Sequence, residues 1–305
     1  MKKNIVLIGG GHGLSNLVKG FKNEDIDLNI IVSSTDDGGH TGKIRDEFNY
    51  VAVGDLRMVL SELVEENSIL KDIFDYRFSS IHGINGVSLG NLVITSLIEK
   101  YKDIDLVINY LKEKANIKAN VFLSTNNSLF LCAVCKDKEI IKHERIIGES
   151  NKTIERLFVD GNAFCNENML EKIKNADVII LAPGSLYTSV GSVLCIDQIK
   201  EAIKINKGKI IYVCNIMTQD GETRDFSVKD HVVVLENLLS KSIDRVIINK
   251  ENIETKILDK YKEENSYPLI CNEKYDNYEF YDLVEIIEDK VRHDSELVKK
   301  IILNQ

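Results

Sequence analysis

Residues 3–33 read KNIVLIGGGHGLSNLVKGFKNEDIDLNIIVS, and this stretch decides the fold. Ile5–Ile8 is apolar without alternation and stops at glycines, which predicts a buried parallel strand over residues 3–8. Leu14, Leu17, Val18 and Phe21 recur at helical spacing, so 14–22 is an amphipathic helix. LNIIVS at 28–33 is a second strand. The three elements make a strand–glycine loop–helix–strand unit, the opening of a nucleotide-binding α/β fold.

The alternation continues along the chain. Residues 54–77 and 88–114 read as helices. Residues 118–135 and 138–147 read as strands with a turn at 136–138, predicting a β-hairpin insertion over 118–147. A helix follows at 166–175, a buried strand in 177–185 and a helix at 192–205. A strand at 209–215, a helix at 228–240 and a strand at 244–250 come next. The part from 250 to 305 is less regular, with an edge strand at 283–289 and a last helix at 294–303. Such a pattern predicts one α/β domain over 1–305, a Rossmann-like three-layer fold with a mostly parallel sheet and a small β-hairpin insertion. Loops at the carboxyl ends of the strands would line one crevice.

Composition narrows the classes. The net charge of −9 argues against nucleic acid as partner. The apolar run after Met1-Lys2-Lys3 is too short for a secretory core, and no stretch reaches the roughly 18 residues of a membrane span. A cytoplasmic protein without membrane insertion is expected, and a homodimer on general grounds. Cys132 and Cys135 form a CxxC inside an apolar strand. Residues three apart on a strand face opposite ways, so buried free thiols are expected rather than a metal site.

Six loops carry candidate chemistry. Gly10, Gly11, His12 and Gly13 open the first helix, where free N–H groups suit a phosphate. The third glycine of G-x-G-x-x-G is missing, which counts against a nicotinamide dinucleotide. Ser34–Gly42 (STDDGGHTG) follows the second strand; Asp36 or Asp37 would hold a ribose hydroxyl, an acceptor hydroxyl or Mg²⁺, and Gly38 and Gly39 a second phosphate nest. Asp55 in GDLR reads as a helix cap, and Arg57 as a phosphate ligand or a surface salt bridge. Ser88 and Asn91 stand at another helix start, just after His82. Gly184 and Ser185 lie in APGSLYTS, which lacks the elbow of a serine hydrolase. Asn215 closes a strand before a polar loop and would read a base or sugar by paired hydrogen bonds; His231 follows Asp230 at a helix start, a capped surface position.

The strings GGGHGLS, TDDGGHTG, GDLR, SLGN, PGSLYTS and CNIMTQDGET, in that order, resemble the YvcK-type gluconeogenesis-factor family over nearly the whole chain. Val291–Asp294 matches its closing motif. That family is related to the CofD-like group of 2-phospho-L-lactate transferases. The resemblance implies a regulatory protein of gluconeogenic growth, cell shape and wall synthesis that binds a nucleotide-sugar such as UDP-N-acetylglucosamine. Cell-wall or carbon-metabolism proteins would be its partners. It places Gly10, Gly11, Gly13, Asp36, Asp37, Asn91, Ser185 and Asn215 in the crevice, with Arg292 as a late contact. His12 stands where the family usually has Thr, His40-Thr41 replaces Ser-Ser, Val87 replaces a His, and Ala52-Val53 replaces Pro-Pro. The alternative is a Mg²⁺-dependent transferase with a nucleoside diphosphate donor, in which Asp36 and Asp37 hold the metal. The altered histidine and the lack of an acid–base pair favour the regulatory reading, with no cofactor assigned.

Overall fold

A computed structural model describes residues 2–39, 41, 42, 45, 50–80, 83–250 and 252–304. The strands in chain order are β1 (Asn4–Gly9), β2 (Asp27–Val32), β3 (Asn120–Leu123), β4 (Leu131–Cys135), β5 (Ile140–Lys142), β6 (Ile154–Val159), β7 (Val178–Leu181), β8 (Lys209–Val213), β9 (Arg245–Asn249), β10 (Tyr278–Tyr281), β11 (Val284–Ile287) and β12 (Lys290–His293). Seven of them form the central sheet in the order β10-β9-β8-β7-β1-β2-β3. Every pairing in it is parallel.

That order places the site. From β1 the chain winds outward through β2 to β3, then returns to β7 and winds the other way to β10. The reversal lies between β1 and β7, and open α/β sheets bind ligands at the carboxyl ends of the strands beside such a switch point. β1 is completely buried over Ile5–Ile8 because helices cover both faces. Its side chains alternate: Val6 and Ile8 enter one apolar core, Ile5 and Leu7 the other. Three layers follow directly. The first helix (Gly11–Phe21) lies against the last (Ser295–Leu303), so closely that a Cβ on Gly20 would stand 2.4 Å from the Ser295 carbonyl oxygen.

Several boundaries differ from the sequence reading. The span 54–77 is two helices, Gly54–Leu63 and Ile69–Asp75: Val64 turns extended, and the Ser68 hydroxyl caps the second by accepting from the Leu70 N–H. The span 88–114 is also two, Leu89–Tyr101 and Ile104–Lys114, parted where Lys102 turns left-handed at φ 57°. Residues 118–135 are not one strand. β3 is the outer strand of the central sheet, the polar run Ser124–Ser128 leads away, and β4 joins a separate antiparallel sheet of order β5-β4-β6. β6, its third strand, follows a helix at Glu144–Glu149. At the far edge the strand is β10, while β11, expected there, pairs with β12 in a separate antiparallel ribbon. All six cysteines are free, and Cys132 and Cys135 are buried. No described helix is long and apolar enough to cross a membrane.

Candidate functional site

β1 delivers the chain to Gly10, the extended residue before the first helix, which has no side-chain cap; Gly11 follows at φ +59°. The helix start rests on the loop after β7: a Cβ on Gly13 would lie 1.9 Å from the Pro183 carbonyl oxygen. Only glycine permits that approach. Gly184, at φ +146°, is clamped by Asn215 from the loop after β8. The Asn215 Nδ2 donates to the Gly184 carbonyl (2.7 Å) and its Oδ1 accepts from the Gly184 N–H (3.0 Å). Both halves of that amide are engaged on backbone, so Asn215 shapes the loop; one N–H and one oxygen lone pair remain on the cleft side for a ligand. Ser185 Oγ donates to Gln219 Oε1 at 2.7 Å.

These loops enclose a cleft of about 510 Å³. Gly10, Gly11, His12, Gly13, Gly184, Ser185, Asn215 and Arg292 all line it. Arg292 arrives from 280 residues downstream because β12 is pinned there. The Val291 N–H donates to the Tyr261 hydroxyl (2.9 Å), and Asn16 Nδ2 donates to the His293 carbonyl (2.7 Å). The buried His293 ring bonds the Cys214 carbonyl through Nε2 at 3.0 Å. Burial drives that ring down to about 4 against the opposing pull of the Cys214 bond, so it stays neutral. Among the described residues the Arg292 guanidinium makes one hydrogen bond, to the Val291 carbonyl at 3.4 Å, and no ion pair.

The acids divide into different tasks. Asp55 is not the cap of its helix, whose cap position is Val53. Its carboxylate instead accepts from the Gly11 N–H at 2.8 Å, tying the glycine loop to the helix Gly54–Leu63. Burial and the nearby Asp36 push Asp55 up to about 7. Asp37 is committed elsewhere: it bonds the His143 ring at 2.8 Å and accepts from the Glu144 and Arg145 N–H groups, both at 3.2 Å, at the start of Glu144–Glu149. Asp36 accepts from the Gly38 N–H (2.9 Å) and is raised by burial. Asp36 and Asp37 therefore do not converge as the carboxylate pair expected for Mg²⁺. Among the described residues no group of three or more His, Cys, Asp or Glu side chains is arranged to hold a metal.

Asp36 and Gly38 line an adjoining acidic pocket of about 360 Å³ with Glu144 and Glu222, and it shares Gln219 and Asp220 with the main cleft. Burial raises Glu144 and Glu222; Glu144 accepts from the Thr35 hydroxyl, and Glu222 from Thr188 Oγ1 at 2.7 Å. Glu222 stands in the string CNIMTQDGET, whereas nothing in the sequence marks Glu144. Gly39 is exposed, with nothing within 4 Å of its Cβ position. Asn91 lies outside the cleft, buried beside Thr41 and Thr95, its Oδ1 without a partner among the described residues. Ser88 caps the helix Leu89–Tyr101. Arg57 does not line the cleft: it is buried, donating to the Phe74 carbonyl at 2.8 Å and pairing at 3.9 Å with Asp75, whose carboxylate is half exposed. His231 is fully buried behind a Ser227–Asp230 capping box, not on the surface. His40 and His82 lie outside the described residues.

Comparison with known proteins gives the family. The CofD family, described as 2-phospho-L-lactate transferase CofD, matches residues 5–291. A Thermotoga maritima protein is 37% identical over 308 residues, 98% of each chain. The Bacillus subtilis gluconeogenesis factor is 32% identical over 314 residues, covering 99% of this chain and 98% of its own. A crystal structure of a UPF0052-family protein from Bacillus halodurans superposes with a TM-score of 0.94 at 33% identity, covering 99% of this chain and 100% of that one. The chain belongs to the CofD family and, within it, to the gluconeogenesis factors of the YvcK type.

Proposed function

We propose that this protein is a regulatory binding protein for a nucleoside-diphosphate sugar, with UDP-N-acetylglucosamine as the type ligand. The observation that carries the reading is the meeting in one cleft of the Gly10–Gly13 helix start with Arg292, which has no ion-pair partner among the described residues. Backbone N–H groups at a helix start and a guanidinium are complementary to diphosphate oxygens. The adjoining pocket of Asp36, Glu144 and Glu222 repels phosphate and suits hydroxyl donors, so the sugar would extend towards it. Gly11, Gly13, Gly184 and Asn215 shape the cleft, while Asp55, Asp37 and Asn91 act behind it. The ligand state would be passed to cell-wall or carbon-metabolism proteins in the cytoplasm.

A second reading is favoured by the family description and by Asp36, whose carboxylate borders both the acidic pocket and the second loop. It is a transferase acting on a nucleoside diphosphate donor. Without a converging carboxylate pair, Asp36 and the donor phosphates alone would have to hold Mg²⁺. Titration calorimetry with UDP-N-acetylglucosamine, GDP and NAD, with and without Mg²⁺, separates the two. Micromolar Mg²⁺-independent binding of the UDP-sugar is the expected result. A preference for GDP that requires Mg²⁺ would transfer the assignment to the transferase.

A further inference from the structure

We propose that His12 is a specificity-determining phosphate contact: as an imidazolium it donates a ring N–H to the bound diphosphate, so that binding takes up a proton. This rests on the reading of the cleft as a diphosphate site and names a residue and a charge state within it. His12 is the second residue of the first helix, and its ring stands exposed in the cleft wall beside Gly13 and Arg292. Among the described residues nothing hydrogen-bonds that ring and no carboxylate pairs with it; only its backbone carbonyl is engaged, by Ser15 Oγ at 3.2 Å.

The charges that act on it most strongly are positive: Arg292 and Lys290 on β12, Arg57 on the helix Gly54–Leu63, and Arg77 beyond the helix Ile69–Asp75. The helix start adds a further partial positive charge. The cleft acids are turned to other partners: Asp55 accepts from the Gly11 N–H, and Asp220 is held by Arg224 and Asn265. Glu264 lines the cleft without a bond to His12, and His293 is buried against the Cys214 carbonyl. Burial, followed by Arg292, Lys290, Arg57 and Arg77, holds the His12 ring below its ordinary value, so the free protein carries it neutral at pH 7.

A partly exposed donor-acceptor ring beside Arg292 and Lys290 calls for an anion with several oxygens. A sugar-linked diphosphate brings two negative charges to the spot, offsets the cations and raises the affinity of the ring for a proton. Neutral when free and protonated when bound, the ring makes binding stronger as pH falls. A diphosphate diester has no ionisation of its own between pH 6 and 8. One fully linked proton corresponds to about tenfold in affinity per pH unit, so a gain of about threefold to tenfold from pH 8 to pH 6 is expected.

The test is calorimetric titration of UDP-N-acetylglucosamine into the wild type, H12Q, H12N and D55N at pH 6, 7 and 8, in buffers of different ionisation enthalpy. The wild type should gain affinity on acidification and take up protons, and both His12 variants should lose the slope and the uptake. Proton uptake surviving in H12Q and vanishing in D55N would assign the proton to Asp55 and overturn the proposal. A wild type without pH slope would overturn it too. Absence of binding by every variant at every pH would overturn the diphosphate reading of the cleft itself, a result distinct from the loss of linkage.

Discussion

One methyl group at Gly13 probes the contact on which the cleft is built. The added Cβ would lie 1.9 Å from the Pro183 carbonyl oxygen and 2.5 Å from its carbon. Restoring an ordinary contact near 3.4 Å requires the two backbones to part by about 1.5 Å. Neither yields readily. The first helix continues from β1 at the centre of the sheet, and Gly184 is held at both its N–H and its carbonyl by Asn215. Overpacking costs about 1–3 kcal/mol, and two fixed backbones put G13A at or above the top of that range. The better helix propensity of alanine offsets about 1 kcal/mol, leaving a net loss of about 2 kcal/mol or more. A shift of that size also breaks hydrogen bonds from the helix start to a phosphate, so ligand affinity should fall by about tenfold or more, equivalent to 1.4 kcal/mol. Urea unfolding followed by circular dichroism reads the first effect and titration calorimetry the second. G39A is the control: at φ +51° with no neighbour within 4 Å, it should cost only the left-handed penalty of about 1–2 kcal/mol and leave binding intact. Wild-type stability and affinity in G13A would refute the reasoning.

Three further outcomes follow from the same geometry. N215A leaves the Gly184 N–H and carbonyl unpaired and should cost about 1–3 kcal/mol per unsatisfied group in urea unfolding; N215D, which accepts but cannot donate, should recover only part. His293 and His231 are both lowered from 6.5 to about 4 by burial. The unfolded chain therefore takes up protons that the folded one refuses, and their contribution is complete above pH 6.5 and lost as pH falls towards 4. The loss should be on the order of a few kcal/mol across that window, and H293Q should flatten it in unfolding curves at stepped pH. Asp55 behaves oppositely: raised to about 7, its neutral form contributes stability that is lost as pH rises through 7. D55N should gain on the wild type by about 1 kcal/mol between pH 6 and pH 8, and an unchanged difference would contradict the burial of that acid.

The central unit was legible because a parallel strand buried on both faces has no alternation to obscure it: Ile5–Ile8, Ile30–Val32 and Val178–Leu181 announce themselves. The glycine loop was legible from Gly10–Gly13 beside the following apolar helix. What stayed hidden depends on distant partners. Asp55 looked like a cap, yet the group it serves is the Gly11 N–H, 44 residues away. Asp36 and Asp37 looked like a pair until His143, 106 residues on, engaged the second of them. Asn215 looked like a reader of ligand, and nothing in its neighbourhood reveals the Gly184 peptide that occupies it. β3 and β4 merged in the reading because both are apolar and only the polar run Ser124–Ser128 separates them. β10, four residues of Tyr-Glu-Phe-Tyr at a sheet edge, is too short and too polar to stand out.

The measurement that bears most directly on the account is a crystal structure of the protein with UDP-N-acetylglucosamine. The diphosphate should lie at the His12 and Gly13 backbone N–H groups, beside the Gly11 N–H that Asp55 holds, with the Arg292 guanidinium and the His12 ring on its oxygens. The sugar would lie towards Asp36 and Glu222. Ligand density away from that helix start, with Arg292 and His12 untouched, would contradict it.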